Sequence, residues 1–389
     1  MKKTTCFYFA LKCICAFAMI FLPYSALKAS DDGLLSDLNI VERLVSDSTR
    51  IAKIENIISK VPKMELFINP RFTYVNGDDP YGFDIRRVQF DVKGKIVKNI
   101  EYALLFEFAG TPKILNANAS WTPFNELKIR AGQYKVPFTL ESAYARTRLE
   151  SVNNSQIVEQ LTYYSNDPSG QNSNGRDIGI SLYGGFIKKN GYNIVDYDIG
   201  VFNGSGIGIK DNNRKKDFVG RVNVNPIKPV TISGSFINGR YGDPKKTGTY
   251  DGPIKKKERY AVGARYDDGR FLGRAEAILS NTEVNNPGIY GDGKTEAITP
   301  TTPVKNLKSY GWYGLAGCYF IPKLQGLLKY DYMRRDKSDP LSEKTDYYVG
   351  ANYFFQKGKA SHVQLFYCFS DIPGKRDANQ ILAQLYIIF

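Results

Sequence analysis

The strongest constraint on the fold is an alternation of apolar and polar residues that runs from Glu65 to Phe389. Apolar side chains at every second position are typical of strands with one face in an apolar medium. The connections alternate as well: short ones such as "VKN", "PFNE" and "DDG" are separated by longer polar ones. The longer connections lie around 76–81, 110–113, 135–175, 204–215, 241–257, 281–305, 335–343 and 371–376.

Seven short turns and eight longer loops would join sixteen strands. Short turns at one rim and long loops at the other are typical of bacterial outer-membrane barrels. We therefore predict an all-β fold over residues 64–389, a transmembrane antiparallel β-barrel of about sixteen strands.

The C-terminal stretch "NQILAQLYIIF" supports this prediction. Its apolar residues at alternate positions would share one face of a strand: Ile381, Ala383, Leu385, Ile387 and Phe389. A closed barrel needs its last strand to pair with its first, because an open edge is not stable in lipid. We expect this final strand to close the barrel.

The first 63 residues follow another pattern. Residues 1–29 combine a lysine-containing start with an apolar run and predict a signal peptide, with an N-terminal membrane anchor as the alternative. Residues 30–63 carry apolar residues at helical spacing. They predict a periplasmic amphipathic helix or short coiled coil, with a linker as the alternative.

Charge and cysteine content narrow the function. The net charge is +14, and loss of 1–29, which hold four lysines and no acid, would leave +10. An exported basic chain favours anionic solutes or anionic surfaces as partners. Cys318 and Cys368, the cysteines outside the predicted signal, fall within predicted strands, so we expect no disulfide framework.

The predicted strands have one charged face. In "FDIRRVQFDVKGK", Val88, Phe90 and Val92 share one face, and charged residues with Gln89 share the other. Arg or Lys facing mid-membrane lipid costs about 2–4 kcal/mol, so the charged faces should line water. Other residues predicted to face inward are Lys93, Lys329, Asp91, Glu107, Asp267, Glu276 and Asp331.

Residues 135–175 are too long and too apolar for a simple hairpin loop. We expect them to fold into the barrel as a constriction loop. Cations there and on the inward faces are the candidate pore and anion-binding residues, although wall ion pairs are an alternative role for each arginine. These candidates are Arg87, Lys128, Arg130, Lys135, Arg146, Arg148, Arg221, Arg259, Arg265 and Arg274.

Several stretches together resemble the phosphate-selective porin O and P family. They include "FDIRRVQFDVKGKI", "LKIRAGQYKVPFTLE", "GRDIGISLYG" and "DYYVGANYFF", and the resemblance extends from about Glu65 to Phe389. It implies a homotrimeric outer-membrane porin with a constricting third loop and an arginine-lined pore for phosphate or polyphosphate. The family motif "GQYKVPF" matches at Gly132, Gln133, Lys135, Pro137 and Phe138, which would shape the start of that loop.

Other functions find less support. His362 is the sole histidine, and no nucleophile or metal-ligand motif accompanies it, so we predict no enzyme activity, no cofactor and no metal site. The basic residues form no single stripe, which argues against nucleic acid. A general porin and a surface-loop adhesin remain as alternatives. The loop "GDPKKTGTYDGPIKKK" favours contact with anionic lipopolysaccharide and outer-membrane lipid.

Overall fold

The computed structural model describes residues 61–76, 81–144, 149–242, 253–286, 298–299, 301–355 and 361–389. The predicted signal peptide (1–29) and almost all of the predicted helical segment (30–63) lie outside these residues. Arg146, Arg148 and most of the basic loop at 241–257 also lie outside them.

The unit Pro62–Phe389 is a closed barrel of sixteen strands, and every neighbouring pair is antiparallel. The predicted fold class is therefore confirmed. The strands are β1 (Lys63–Val75), β2 (Gly82–Val97), β3 (Ile100–Glu107), β4 (Lys113–Trp121), β5 (Lys128–Lys135), β6 (Arg176–Lys189), β7 (Tyr192–Phe202), β8 (Asp217–Val224), β9 (Val230–Tyr241), β10 (Lys255–Asp267), β11 (Phe271–Asn285), β12 (Val304–Ile321), β13 (Leu324–Arg334), β14 (Glu343–Phe354), β15 (His362–Asp371) and β16 (Ala378–Ile388).

In the described ranges, three short helices lie in the loops: α1 (Leu140–Ala143), α2 (Gln156–Leu161) and a 3-10 helix (Pro340–Ser342). Across the described ranges, no helix has both the length and the apolar character needed to cross a membrane.

The barrel closes through the C-terminal strand. Phe67 pairs with Ile388, and the backbone of Leu66 exchanges hydrogen bonds with that of Phe389 at 2.9 and 3.4 Å. The backbone groups at the two ends of the sheet therefore satisfy each other, as a barrel in lipid requires.

The strand faces alternate as predicted. On β10, Lys257, Arg259 and Ala261 are buried, whereas Tyr260 and Val262 are exposed. The exposed side chains form the outer surface of the barrel, where lipid replaces water. These outward side chains are apolar because they face the membrane.

A break in this alternation occurs between β1 and β2. Asn69 pairs with Arg87 but Pro70 pairs with Ile85, so Arg86 is an extra residue on β2. Pro70 has no N–H to donate to the ladder, and proline in a sheet is confined to edges and bulges. Strict alternation would place Arg86 outward, on the face of Val88. The bulge instead lets Arg86 bond to groups inside the barrel.

Candidate functional site: the lumen and its inner loop

The loop between β5 and β6, residues 136–175, lies inside the barrel and is called the inner loop below. It bonds to side chains from strands spread around the barrel, including Arg86 on β2, Arg221 on β8, Asn352 on β14 and Gln384 on β16. Only a segment inside a closed barrel can reach all of these strands. The described parts of the inner loop therefore follow the interior of the barrel, and its role as a constriction remains a prediction.

Helix α1 is docked on a carboxylate of β11. Glu276 accepts hydrogen bonds from the backbone N–H groups of Leu140 and Glu141, the latter at 2.9 Å. Thr139 precedes the helix with a φ of 58° and accepts a hydrogen bond from the N–H of Ser142 at 3.1 Å. These bonds satisfy N–H groups that a helix start leaves without partners.

Arg274 on β11 anchors the next part of the inner loop. Its guanidinium contacts Glu150 at 2.8 Å and Glu141 at 3.4 Å, and it donates to the Tyr313 hydroxyl at 2.9 Å. Burial alone would raise the pKa of Glu141, a loop residue, but the charges of Lys329 and Arg274 outweigh it, and the pKa lies below its usual value. Glu141 is therefore a charged anchor at neutral pH.

Helix α2 packs against β11, β12 and β13. The N–H of Gln156 donates to both carboxylate oxygens of Asp331, at 3.0 and 3.2 Å. Ile157, Val158 and Leu161 are fully buried. The approach is close: a Cβ at Gly311 on β12 would lie 2.6 Å from the Ile157 side chain.

The end of the inner loop is held by one buried ion pair to the wall and by a hydrogen bond to a second pair within the wall. Arg259 on β10 binds both oxygens of Asp167, at 2.6 and 2.7 Å, and donates to the Leu161 carbonyl at 2.8 Å. Lys257 lies 2.7 Å from Asp217, which also accepts from the Tyr163 hydroxyl at 2.7 Å. Burial would raise the pKa of Asp167, but Arg259 outweighs this effect and lowers it.

Neutral donors and Arg86 hold the middle of the inner loop. Arg86 donates to the Val152 carbonyl at 2.7 Å and to the Asn153 amide oxygen at 3.0 Å. Asn352 donates to the Glu150 carbonyl at 2.8 Å. The loop therefore has a docking contact every few residues, and its path does not depend on one interaction.

The described candidates predicted from sequence separate into two groups. In the first group, each cation is paired with a carboxylate or bonded to two carbonyls of the inner loop. Arg259 and Arg274 are 0% and 2% exposed, so a solute in the lumen would have to displace the loop to reach them. Lys135 donates to the carbonyls of Ser142 and Tyr144, and Arg87 pairs with Glu107 at 3.2 Å.

Arg265 belongs to the same group. It pairs with Asp267 at 2.5 Å, and its guanidinium carbon lies 5.6 Å from the ring centre of Tyr144.

The second group consists of Lys128, Arg130 and Arg221. Lys128, Tyr183, Asp198 and Arg221 follow one another in register across β5, β6, β7 and β8. The guanidinium of Arg130 stacks over Tyr183 at 4.4 Å. All three cations are partly exposed.

These three cations differ from the first group in their partners. Lys128 lies 5.8 Å from the Tyr183 ring, and Arg221 donates to the Thr139 carbonyl at 2.8 Å. Within the described parts of the chain, none of the three has a carboxylate at salt-bridge distance. Asp198 is the acid whose charge acts on both Arg130 and Arg221.

Sequence reasoning missed three of the loop anchors: Arg86, Lys257 and Asp167. Pro70 within a predicted strand was a signal for the bulge that turns Arg86 inward. The sequence pattern places Lys257 in the connection 241–257, whereas β10 begins at Lys255. Nothing in the sequence pairs Asp167 with Arg259, because that contact depends on the path of the loop. Among the described residues, no cluster of three potential metal ligands occurs.

Comparison with known proteins gives a family match. Residues 69–227 match the family described as phosphate-selective porin O and P. The match covers less than half of the 389 residues of the chain. The resemblance inferred from sequence is confirmed there, and the match together with the sixteen-stranded barrel supports an outer-membrane porin. A search of curated proteins found no match.

Solved porins share the fold. An anion-selective porin from Comamonas acidovorans is 13% identical, with a TM-score of 0.59 over 84% of this chain and 99% of that one. The trimer form of OmpT from Vibrio cholerae is 12% identical, with a TM-score of 0.57 over 84% and 99%. OmpF from Salmonella typhi is 12% identical, with a TM-score of 0.55 over 85% and 98%. At identities this low, the comparison supports a shared barrel architecture and no more.

Proposed function

We propose that this porin is a passive diffusion channel that prefers small anions, phosphate or polyphosphate among them. The observation that carries the proposal is the group formed by Lys128, Arg130 and Arg221, three partly exposed cations, with Asp198 as an acid that acts on two of them. The side chains of this wall, β5 to β8, that bond to the inner loop are Lys135, Arg176, Asp217 and Arg221. Lys128 and Arg130 make no such bond in the described part of the chain.

The balance of paired charges supports an anion preference. Asp167, Asp217 and Glu141 are each neutralised by a buried cation. These pairs add no net charge to the lumen, whereas Lys128, Arg130 and Arg221 are partly exposed and have no carboxylate at salt-bridge distance within the described ranges. Low-dielectric walls focus such a charge on the solute path, and arginine donates parallel hydrogen bonds that fit the oxygens of an oxyanion.

Arg146 and Arg148, which lie outside the described residues, remain proposed pore cations. They belong to the stretch between Tyr144 and Leu149, and both of these residues are on the described inner loop. In this proposal Arg259 and Arg274 act through the loop, by holding it in place, and not as contacts for the solute. A homotrimer is also proposed, in line with the family and with the trimer form of the Vibrio cholerae relative in fold.

Reversal potentials in a salt gradient test the proposal. The purified protein in planar bilayers should favour chloride over potassium, and phosphate should reduce the chloride current. The double variant Lys128→Gln with Arg130→Gln should shift the reversal potential toward cations and weaken the effect of phosphate, because it removes two exposed charges without touching a loop anchor.

Arg240→Gln is the matched control. Arg240 is exposed at the outer end of β9, between buried Gly239 and Tyr241, so its loss removes one charge outside the lumen. If the double variant and the control behave like the unmodified protein, selectivity does not arise at this wall. A large current indifferent to phosphate in all three proteins would favour the general porin.

A further inference from the structure

The outer surface of β10 to β15 carries a recess. Its floor is made of small outward residues on three neighbouring strands, namely Ala264, Gly273, Ala275, Gly314 and Ala316. Larger side chains such as Leu328 and Tyr330 form one wall, and the volume is about 850 Å³. A Cβ at Gly314 or Gly273 would meet no atom within 4 Å, so the floor is open space.

A second depression, of about 480 Å³, lies toward the long-loop rim of the same strands. Its apolar part is formed by Tyr260, Leu279 and Tyr310, and Lys308 and Lys337 stand at its edge. Both lysines are exposed, and neither has a carboxylate at salt-bridge distance within the described ranges. Glu258 is the one acid in its lining, so cations outnumber acids two to one.

The distance between the two depressions is close to the length of a lipid molecule. Lys308 and Gly314 lie on the same face of β12, six residues apart, which corresponds to about 20 Å along a strand. Trp312 lies between them on that face, 47% exposed and stacked on Tyr330 at 4.6 Å. A phosphate at the lysines would therefore leave an acyl chain of ordinary length lying beside Trp312 and entering the recess.

We propose that this track binds one lipopolysaccharide molecule, with a lipid A phosphate at Lys308 and Lys337 and an acyl chain in the recess. The rim with long loops faces outward in barrels of this class, so the lysines are level with the outer leaflet. Exposed lysines beside an apolar groove complement a phosphorylated lipid.

The chain contains two tryptophans, and these make the proposal testable. Trp312 reports on the track, whereas Trp121 ends β4 on the opposite side of the sixteen-stranded barrel. The variants Trp121→Phe and Trp312→Phe each leave one reporter. Each is placed in vesicles of phosphatidylcholine with brominated acyl chains, which quench tryptophan on contact, and unbrominated diphosphoryl lipid A is added stepwise.

We expect Trp312 to recover its fluorescence at about one-tenth of the lipid A fraction that Trp121 requires, because two lysines act on the phosphate. Adding Lys308→Gln and Lys337→Gln should remove this difference. Adding Lys188→Gln and Lys189→Gln, which lie at the far end of β6, should preserve it. Gly314→Leu should fill the recess and lower the quenching of Trp312 before any lipid A is added.

Equal recovery of the two tryptophans would overturn the proposal, as would a difference that survives the loss of Lys308 and Lys337. If Trp312 is protected from brominated lipid and Gly314→Leu changes the oligomeric state, another copy of the chain occupies the recess and the proposal is wrong.

Discussion

Arg259 on β10 forms a bidentate ion pair with Asp167 of the inner loop, at 2.6 and 2.7 Å, and neither side chain is exposed to solvent. The pair joins the barrel wall to a segment 92 residues earlier in the chain. The pair fixes the end of the inner loop around Asp167.

Arg259→Ala should release the end of the inner loop. Removing one partner of a buried ion pair leaves the other charge uncompensated, at a cost of about 3–5 kcal/mol. The barrel should still close, because its ladder does not involve this side chain, but single-channel current should become larger and noisier. Arg71→Ala is the control, since Arg71 pairs with Asp84 on a partly exposed part of the wall. Replacing Arg259 and Asp167 together by Met and Leu should be milder than either single loss; additive effects would contradict this reasoning.

Acid should loosen the inner loop. The pKa values of Glu141 and Asp167 are lowered in the folded protein, so their ionised forms stabilise the fold at pH values above the ordinary carboxyl range. That stability is lost as pH falls below about 4 and through the lowered folded values. Conductance recorded stepwise from pH 7 to pH 3 should stay level and then become unstable below about pH 4. Unstable current that begins near pH 6 would point to other groups.

Arg86→Gln should free the middle of the inner loop around Val152 and Asn153. The arginine bonds to both residues through a bulge, and glutamine is too short to replace it. We expect more frequent current fluctuations, with thermal stability of the barrel little changed. Lys93→Gln on the same strand removes an equal charge from a surface pair with Asp91. Equal effects of the two variants would show that charge, and not the loop contact, is responsible.

Gly132→Ala should impair folding. Gly132 has a φ of 122°, and a Cβ there would lie 2.3 Å from the Ala117 carbonyl oxygen on the neighbouring strand. Both the conformation and the space require glycine. The fraction of folded protein, read from the shift in gel mobility between unheated and heated samples, should fall. Gly234→Ala is the control, since its Cβ would meet nothing within 4 Å; normal folding of both variants would contradict the prediction.

Much of the barrel was predictable because period-two alternation is a property of each strand by itself. The sixteen strands, the closing pair at Phe389 and the inward direction of Arg259 and Arg274 all follow from it. What Arg259 and Arg274 do inside the barrel could not be predicted, because Asp167 and Glu150 reach them only through the path of a long loop. Arg86 shows a second limit: one bulge reverses the face of a residue without changing the pattern around it.

The docking of the inner loop also determines the order in which the molecule can be completed. Val152 is held by Gln384, a residue 232 positions further along the chain, and Glu150 by Asn352, 202 positions further. Neither partner has its final place until the last strands have paired. Contacts of such long sequence separation form late, because the ends of a long chain segment must first be brought together. The middle of the loop therefore reaches its final position in the lumen only after the wall around it is complete.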